Sequence, residues 1–70
     1  VIRTAVVSTQ IKSVGYDAGS RTLEIEFHRG GLYQYVGVPA YVYEGLLNAP
    51  SKGQYFRSFI GQRYWFTRMN

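Results

Sequence analysis

The chain has 70 residues, no cysteine, and eight Lys and Arg against four Asp and Glu, for a net charge of +4. That length predicts one small domain over residues 1–70 with a modest core, and the lack of cysteine excludes disulfides, thiolate metal sites and a cysteine nucleophile. No run nears the roughly 18–20 apolar residues of a membrane span, and with no disulfide available the remaining staple is aromatic mass, seven Tyr, four Phe and one Trp.

The start, Val1-Ile2-Arg3-Thr4, shows no basic-then-apolar signal pattern, and its lack of Met suggests a processed or excised chain. Val1 to Gln10 is ambiguous: Val6-Val7 suits a strand start, Ser8-Thr9-Gln10 a loop. Ile11 to Tyr16 reads as a first strand, with Ile11, Ser13 and Gly15 on one face and Lys12, Val14 and Tyr16 on the other. Asp17-Ala18-Gly19-Ser20 is turn chemistry, because Asp accepts from nearby amides and Gly tolerates positive φ. Thr22 to His28 alternates Leu23, Ile25 and Phe27 with Glu24, Glu26 and His28, which is a strand with one buried face. Leu32 to Val38 runs back and completes a three-stranded antiparallel meander.

The turn between these strands decides where Tyr33 and Tyr35 point. A two-residue Gly30-Gly31 loop puts them with Glu24, Glu26 and His28. A three-residue His28-Arg29-Gly30 loop, with Gly30 left-handed, puts them with Leu23, Ile25 and Phe27. The second is preferred because it turns Gln34 to water, although it moves Leu32 and Val36 to the outer face.

Pro39 suits the first turn of a helix over Ala40 to Asn48, with Val42, Tyr43, Leu46 and Leu47 at helical spacing. Gly45 weakens that helix by roughly 1 kcal/mol relative to Ala, and Pro50 ends it. Ser51-Lys52-Gly53-Gln54 matches a capping box opening a second helix. Its stripe Tyr55, Phe56, Phe59 and Ile60 is expected to face the core, with Gly61 just past the end. Arg63 to Arg68 reads as a short fourth strand or as an aromatic plug across the sheet. The fold class is therefore α+β: a meander followed by two short helices on one sheet face.

These segments resemble a known family. The carrying residues are Ile11, Val14-Gly15-Tyr16-Asp17, Leu23 to Phe27, Tyr33-Gln34-Tyr35 and Gly37-Val38-Pro39, then Val42-Tyr43, Leu46, Ala49, Ser51-Lys52-Gly53, Tyr55-Phe56, Ile60 and Tyr64. Over about residues 10–64 the chain resembles the KTSC domain, named after a C-terminal extension of some lysyl-tRNA synthetases and also found as a small stand-alone bacterial protein. The resemblance implies a bacterial, cytoplasmic module, with RNA binding as a suggestion and no catalytic residues to carry over. Tyr33 and Tyr35 match the family's Y-x-Y motif.

The positive balance permits an acidic partner such as RNA, although solubility alone explains it equally well. Lys52, Arg57, Arg63 and Arg68, with Tyr64 and Trp65 for stacking, are the candidate nucleic-acid-binding set. Their convergence on one face is the discriminating observation. Ser51, Lys52 and Gly53 form a candidate anion site at a helix start, set against plain capping. Tyr33 and Tyr35 would stack bases only if both rings were exposed; packing under the helices is preferred. Glu24, Glu26 and His28 share a face but sit roughly 6.5–7 Å apart along a strand, too far to converge on one metal. His28 lacks a nucleophile nearby in sequence, so no enzyme, metal or cofactor is expected. The leading reading is a non-catalytic module binding RNA, with tRNA first. The alternative is a protein-docking module, free or covalently attached to a larger protein, using Leu32 and Val36 or an open strand edge.

Overall fold

A computed structural model describes residues 2–70. Five antiparallel strands follow one another across a single sheet in chain order: β1 (Thr4–Ala5), β2 (Ile11–Asp17), β3 (Thr22–Phe27), β4 (Gly31–Tyr35) and β5 (Phe66–Arg68). Helices α1 (Ala40–Asn48) and α2 (Lys52–Phe59) intervene between β4 and β5 and cover one face. The α+β class, the meander and both helices are as expected, and of the two readings of the C-terminal tail the short strand is the one formed. The meander is extended by β1 on one side and β5 on the other. The N-terminal strand lies at Thr4–Ala5 rather than Val6-Val7; Val6 packs against the core and Val7 is exposed. Val1 lies outside the described residues.

The strict alternation expected along β2 fails at its start. Ile11 pairs with Phe27 and Ser13 with Glu26, so Lys12 is the extra residue of a bulge. The bulge resets the parity. Ile11 joins Val14 and Tyr16 on the helix side, while Ser13 and Gly15 lie outside. A fully buried Ile11 explains the choice, since regular pleating would have put it in water.

The β3–β4 connection is the three-residue loop His28–Gly30, because Phe27 pairs with Gly31. Ile25 then faces Tyr33 and Leu23 faces Tyr35. The left-handed residue is Gly31, with φ +88°, not Gly30. A side chain at Gly31 would also strike Asn70 and Arg68. In the β2–β3 turn Asp17 accepts from the Gly19 amide at 3.1 Å and the Ser20 hydroxyl at 2.9 Å, and the Ser20 bond chiefly holds the carboxyl below its ordinary range. The positive φ there falls on Arg21, at +56°, not on glycine.

The core joins Ile11, Val14, Leu23, Ile25 and Tyr35 of the sheet to Val38, Val42, Leu46 and Ile60. Val38 is held twice: its N–H donates to the Arg21 carbonyl at 2.9 Å, and its carbonyl accepts from the Tyr16 hydroxyl. That clamp fixes Pro39, the α1 N-cap. Between the helices the Tyr55 ring lies on Gly45, and its hydroxyl donates to the Val42 carbonyl at 3.1 Å. Gly45 therefore weakens α1 locally but permits the helix–helix contact. Ser51 accepts from the Gln54 amide at 3.3 Å, so the Ser51 half of the capping box is formed. Phe59 departs from the expected core stripe. It is half exposed and leans on Tyr55, with ring centroids 4.8 Å apart.

Two stability measurements check this account. Gly45→Ala gains helix propensity but drives a Cβ into Tyr55, so its urea midpoint should fall, by about 1–2 kcal/mol of stability. Arg21→Gly relieves a left-handed L-residue and should raise stability by about 0.5–1 kcal/mol.

Candidate nucleic-acid interface

The charge distribution is one-sided along the chain. Residues 1–44 balance Arg3, Lys12, Arg21 and Arg29 against Asp17, Glu24, Glu26 and Glu44. Residues 45–70 contain Lys52, Arg57, Arg63 and Arg68 and no Asp or Glu, so their side chains hold the whole +4. The sheet's outer face neutralises itself: Arg3 meets Glu24 at 3.0 Å, and Lys12 stands 4.0 Å from Glu26. Ser13 and Gln34 donate to those same carboxylates. Such exposed pairs add little stability. Their consequence is spatial: Glu24 and Glu26 do not reach the side that carries α2.

The candidate cations fall into three settings. Lys52 and Arg57 line a groove of about 510 Å³ between residues 7–10 and the start of α2, together with Ser51 and Gly53. Arg57 donates to the Gln10 carboxamide oxygen at 3.0 Å, and that oxygen rests where a Gly53 side chain would stand. The Lys52 ammonium donates to the Ala49 carbonyl at 3.1 Å and so caps the end of α1. Ser51, Lys52 and Gly53 do sit together, but the Ser51 hydroxyl is already taken by the helix.

Arg63 lies beyond the other end of α2, where its Nε donates to the Ser58 carbonyl at 3.2 Å. With Tyr64 and Trp65 it lines a second concavity of about 550 Å³. Tyr64 packs against the core, whereas Trp65 is 85% exposed. Arg68 forms the third setting on β5, with its guanidinium carbon 5.9 Å from the Tyr33 ring centre. The six residues thus do not make one patch. The eight residues of α2, about 12 Å of helix, link the first two settings into a ridge.

The Y-x-Y pair faces the helices. Tyr35 is 4% exposed and packs against Phe56 and Phe66 at 5.6 Å. Tyr33 is half-buried against Phe27 and Phe66. A stacking platform made of both rings is therefore not available. Burial, with a smaller contribution from Tyr33, pushes the Tyr35 hydroxyl from a tyrosine's ordinary 10 up to about 12.

His28 borders a concavity of about 500 Å³ with Thr9, Gln10, Phe27, Arg29 and Gly30, a lining without a carboxylate. Its Nε2 lies 3.0 Å from the Ser8 carbonyl, and the Ser8 hydroxyl accepts from the Gln10 and Ile11 amides. No helix among the described residues is long and apolar enough to cross a membrane.

Sequence reasoning missed Gln10 as Arg57's partner, since 47 positions separate them. It also missed the exposure of Phe66 and Met69, which depends on where β5 docks.

A five-stranded meander backed by two helices defines a class of small α+β domain. Within that class the chain belongs to the KTSC domain family, whose sequence model matches residues 7–64. A lysine–tRNA ligase of Nostoc punctiforme is 45% identical over 60 residues, covering 86% of this chain and 11% of the ligase. An uncharacterized protein of Stutzerimonas stutzeri is 41% identical over 69 residues, 97% of each chain. The crystal structure of a KTSC domain protein from Yersinia pestis superposes with a TM-score of 0.97 at 38% identity, covering 99% of this chain and 97% of that one. The chain thus spans about a ninth of the ligases it matches and nearly all of the stand-alone relative.

A pH measurement tests the buried tyrosine. Because the folded state raises the Tyr35 pKa, its stabilising contribution is complete below pH 10 and is lost as pH climbs toward about 12. Tyr35→Phe should leave the melting temperature near pH 7 little changed and lessen its fall between pH 10 and 12, as read by circular dichroism.

Proposed function

We propose that the chain is a non-catalytic RNA-binding accessory module that presents Lys52, Arg57 and Arg63 along the α2 ridge to phosphates. The carrying observation is the confinement of the net charge to residues 45–70, beyond the last Asp or Glu. Asp and Glu are absent from that segment, so every charged side chain it offers a polyanion is attractive. The lysine–tRNA ligases that carry a homologous segment favour tRNA as the RNA and the cytoplasm as the place of work, with the module attached or free. Tyr64 packs inward and Arg68 leans on Tyr33, so neither is needed on the ridge. The anion site at Ser51, Lys52 and Gly53 becomes one phosphate position within it. The non-catalytic part of the reading rests on His28, whose concavity holds no carboxylate and whose neighbour Ser8 spends its hydroxyl on backbone amides.

Binding should be dominated by phosphate contacts and weakly selective for sequence. Fluorescence anisotropy with bulk tRNA at two salt concentrations tests this, with heparin as an inert polyanion. The Lys52→Ala, Arg57→Ala double variant should bind about 10-fold more weakly, with a log–log salt slope shallower by roughly 1.5–2. Unchanged affinity, or wild-type binding no tighter to tRNA than to heparin, would remove the proposal.

A further inference from the structure

Alternate residues of an antiparallel strand turn both backbone polar groups to the same neighbour. On the β5 side, Val36 donates to the Trp65 carbonyl at 3.0 Å, Met69 donates to the Leu32 carbonyl at 2.7 Å, and Thr67 stands opposite Gln34. Residues 65, 67 and 69 therefore face β4. Phe66 and Arg68 turn their N–H and C=O groups away from the sheet, along an edge whose three residues are all exposed. The opposite edge, β1, has only two residues.

The side chains along this edge are unusually apolar. Trp65 is 85% exposed, Phe66 52% and Met69 47%. The register puts Phe66 and Arg68 on the helix side, beside Tyr35 and Tyr33, and Trp65 and Met69 on the outer face. Exposed Val36 continues that outer apolar stripe, and half-buried Leu32, which stands opposite Glu26 on β3, closes it on the side of the Lys12–Glu26 pair.

Trp65-Phe66-Thr67-Arg68-Met69 is complementary to its own reverse. Laid antiparallel about Thr67, Phe66 meets Arg68 of a second copy, a ring against a guanidinium. Trp65 meets the second copy's Met69, an indole against a thioether. Thr67 meets Thr67, and no like charges stand opposite one another. The outward N–H and C=O groups of Phe66 and Arg68 in each copy are all taken up in four backbone bonds.

We propose that this chain forms an isologous dimer by pairing β5 with β5 of a second copy, with Thr67 on the two-fold axis. The product is a continuous ten-stranded sheet. The two-fold consumes both β5 edges, so assembly closes at two copies. The pairing is short, so the dimer is weak and depends on concentration. It does not rest on the RNA reading, because Lys52 and Arg57 line a different groove.

Sedimentation of the full chain without nucleic acid, from about 10 μM to about 1 mM, should show a reversible rise from monomer to dimer mass and no further. Monomer mass throughout, or growth past the dimer, overturns the proposal. Thr67→Lys places two ammonium groups across the axis and should weaken dimerisation by about 10-fold; an unchanged dissociation constant means another surface is used. The chain has no native cysteine, and a directly opposed non-hydrogen-bonded pair brings the two Cβ atoms within disulfide reach. Thr67→Cys should therefore oxidise to a reducible dimer at least about 10-fold faster than Ala18→Cys, an exposed turn control. Equal rates for the two variants overturn the axis assignment.

Discussion

The loop His28–Gly30 sets the face of every side chain that follows it in the sheet. Three residues rather than two bring Gly31 opposite Phe27, and the period of two does the rest. Tyr33 and Tyr35 fall under the helices, where Phe27, Phe56 and Phe66 meet them edge-on or tilted. Leu32, Gln34 and Val36 fall outside. Strand β5 copies this parity across its ladder with β4, so Phe66 and Arg68 take the inner side and Trp65 and Met69 the outer. One residue fewer in the turn would exchange all of these positions.

The helices depend on a second constraint. Val38 is tied by both its amide and its carbonyl to the β2–β3 hairpin, which fixes where α1 leaves the sheet. Pro39 then starts the helix, and Gly45 lets α2 approach close enough for Tyr55 to bond the Val42 carbonyl. The fully buried core is aliphatic apart from Tyr35, and half-buried rings such as Tyr16, Phe27, Tyr33 and Phe56 pack around it, which extends a core that 70 residues keep small.

Charge and apolar surface are kept apart by the same architecture. The first three strands pair their own ions on the outer face, while α2 and the segment after it carry uncompensated cations. The apolar stripe lies at the β4–β5 edge. The Arg63 end of the ridge shares Trp65 and Phe66 with that edge, whereas Lys52 and Arg57 line a separate groove, so changes at those two disable the ridge and keep the edge.

The sequence by itself determined the three meander strands from Ile11 onward, both helices, the Ser51 cap and the α+β class, because those are local matters of period, propensity and capping, and it left the C-terminal tail open between a strand and a plug. The turn role of Asp17 was legible as well, and the need to hydrate Gln34 pointed to the right loop length, but the left-handed positions fell on Arg21 and Gly31 rather than on Gly19 and Gly30. Only tertiary structure decided the rest. The Lys12 bulge appears once Ile11 has a core to enter, and β1 is too short to signal itself without β2 beside it. Phe59 stays half exposed because Tyr55 and Phe56 already fill the sites beneath α2. The four C-terminal cations were readable as residues. Whether they share a surface depends on where Gln10, Ser58 and Tyr33 hold three of them, and those partners lie 47, 5 and 35 positions away. Local periodicity carries no information about the distant partners, which meet their cations only when the sheet and helices close.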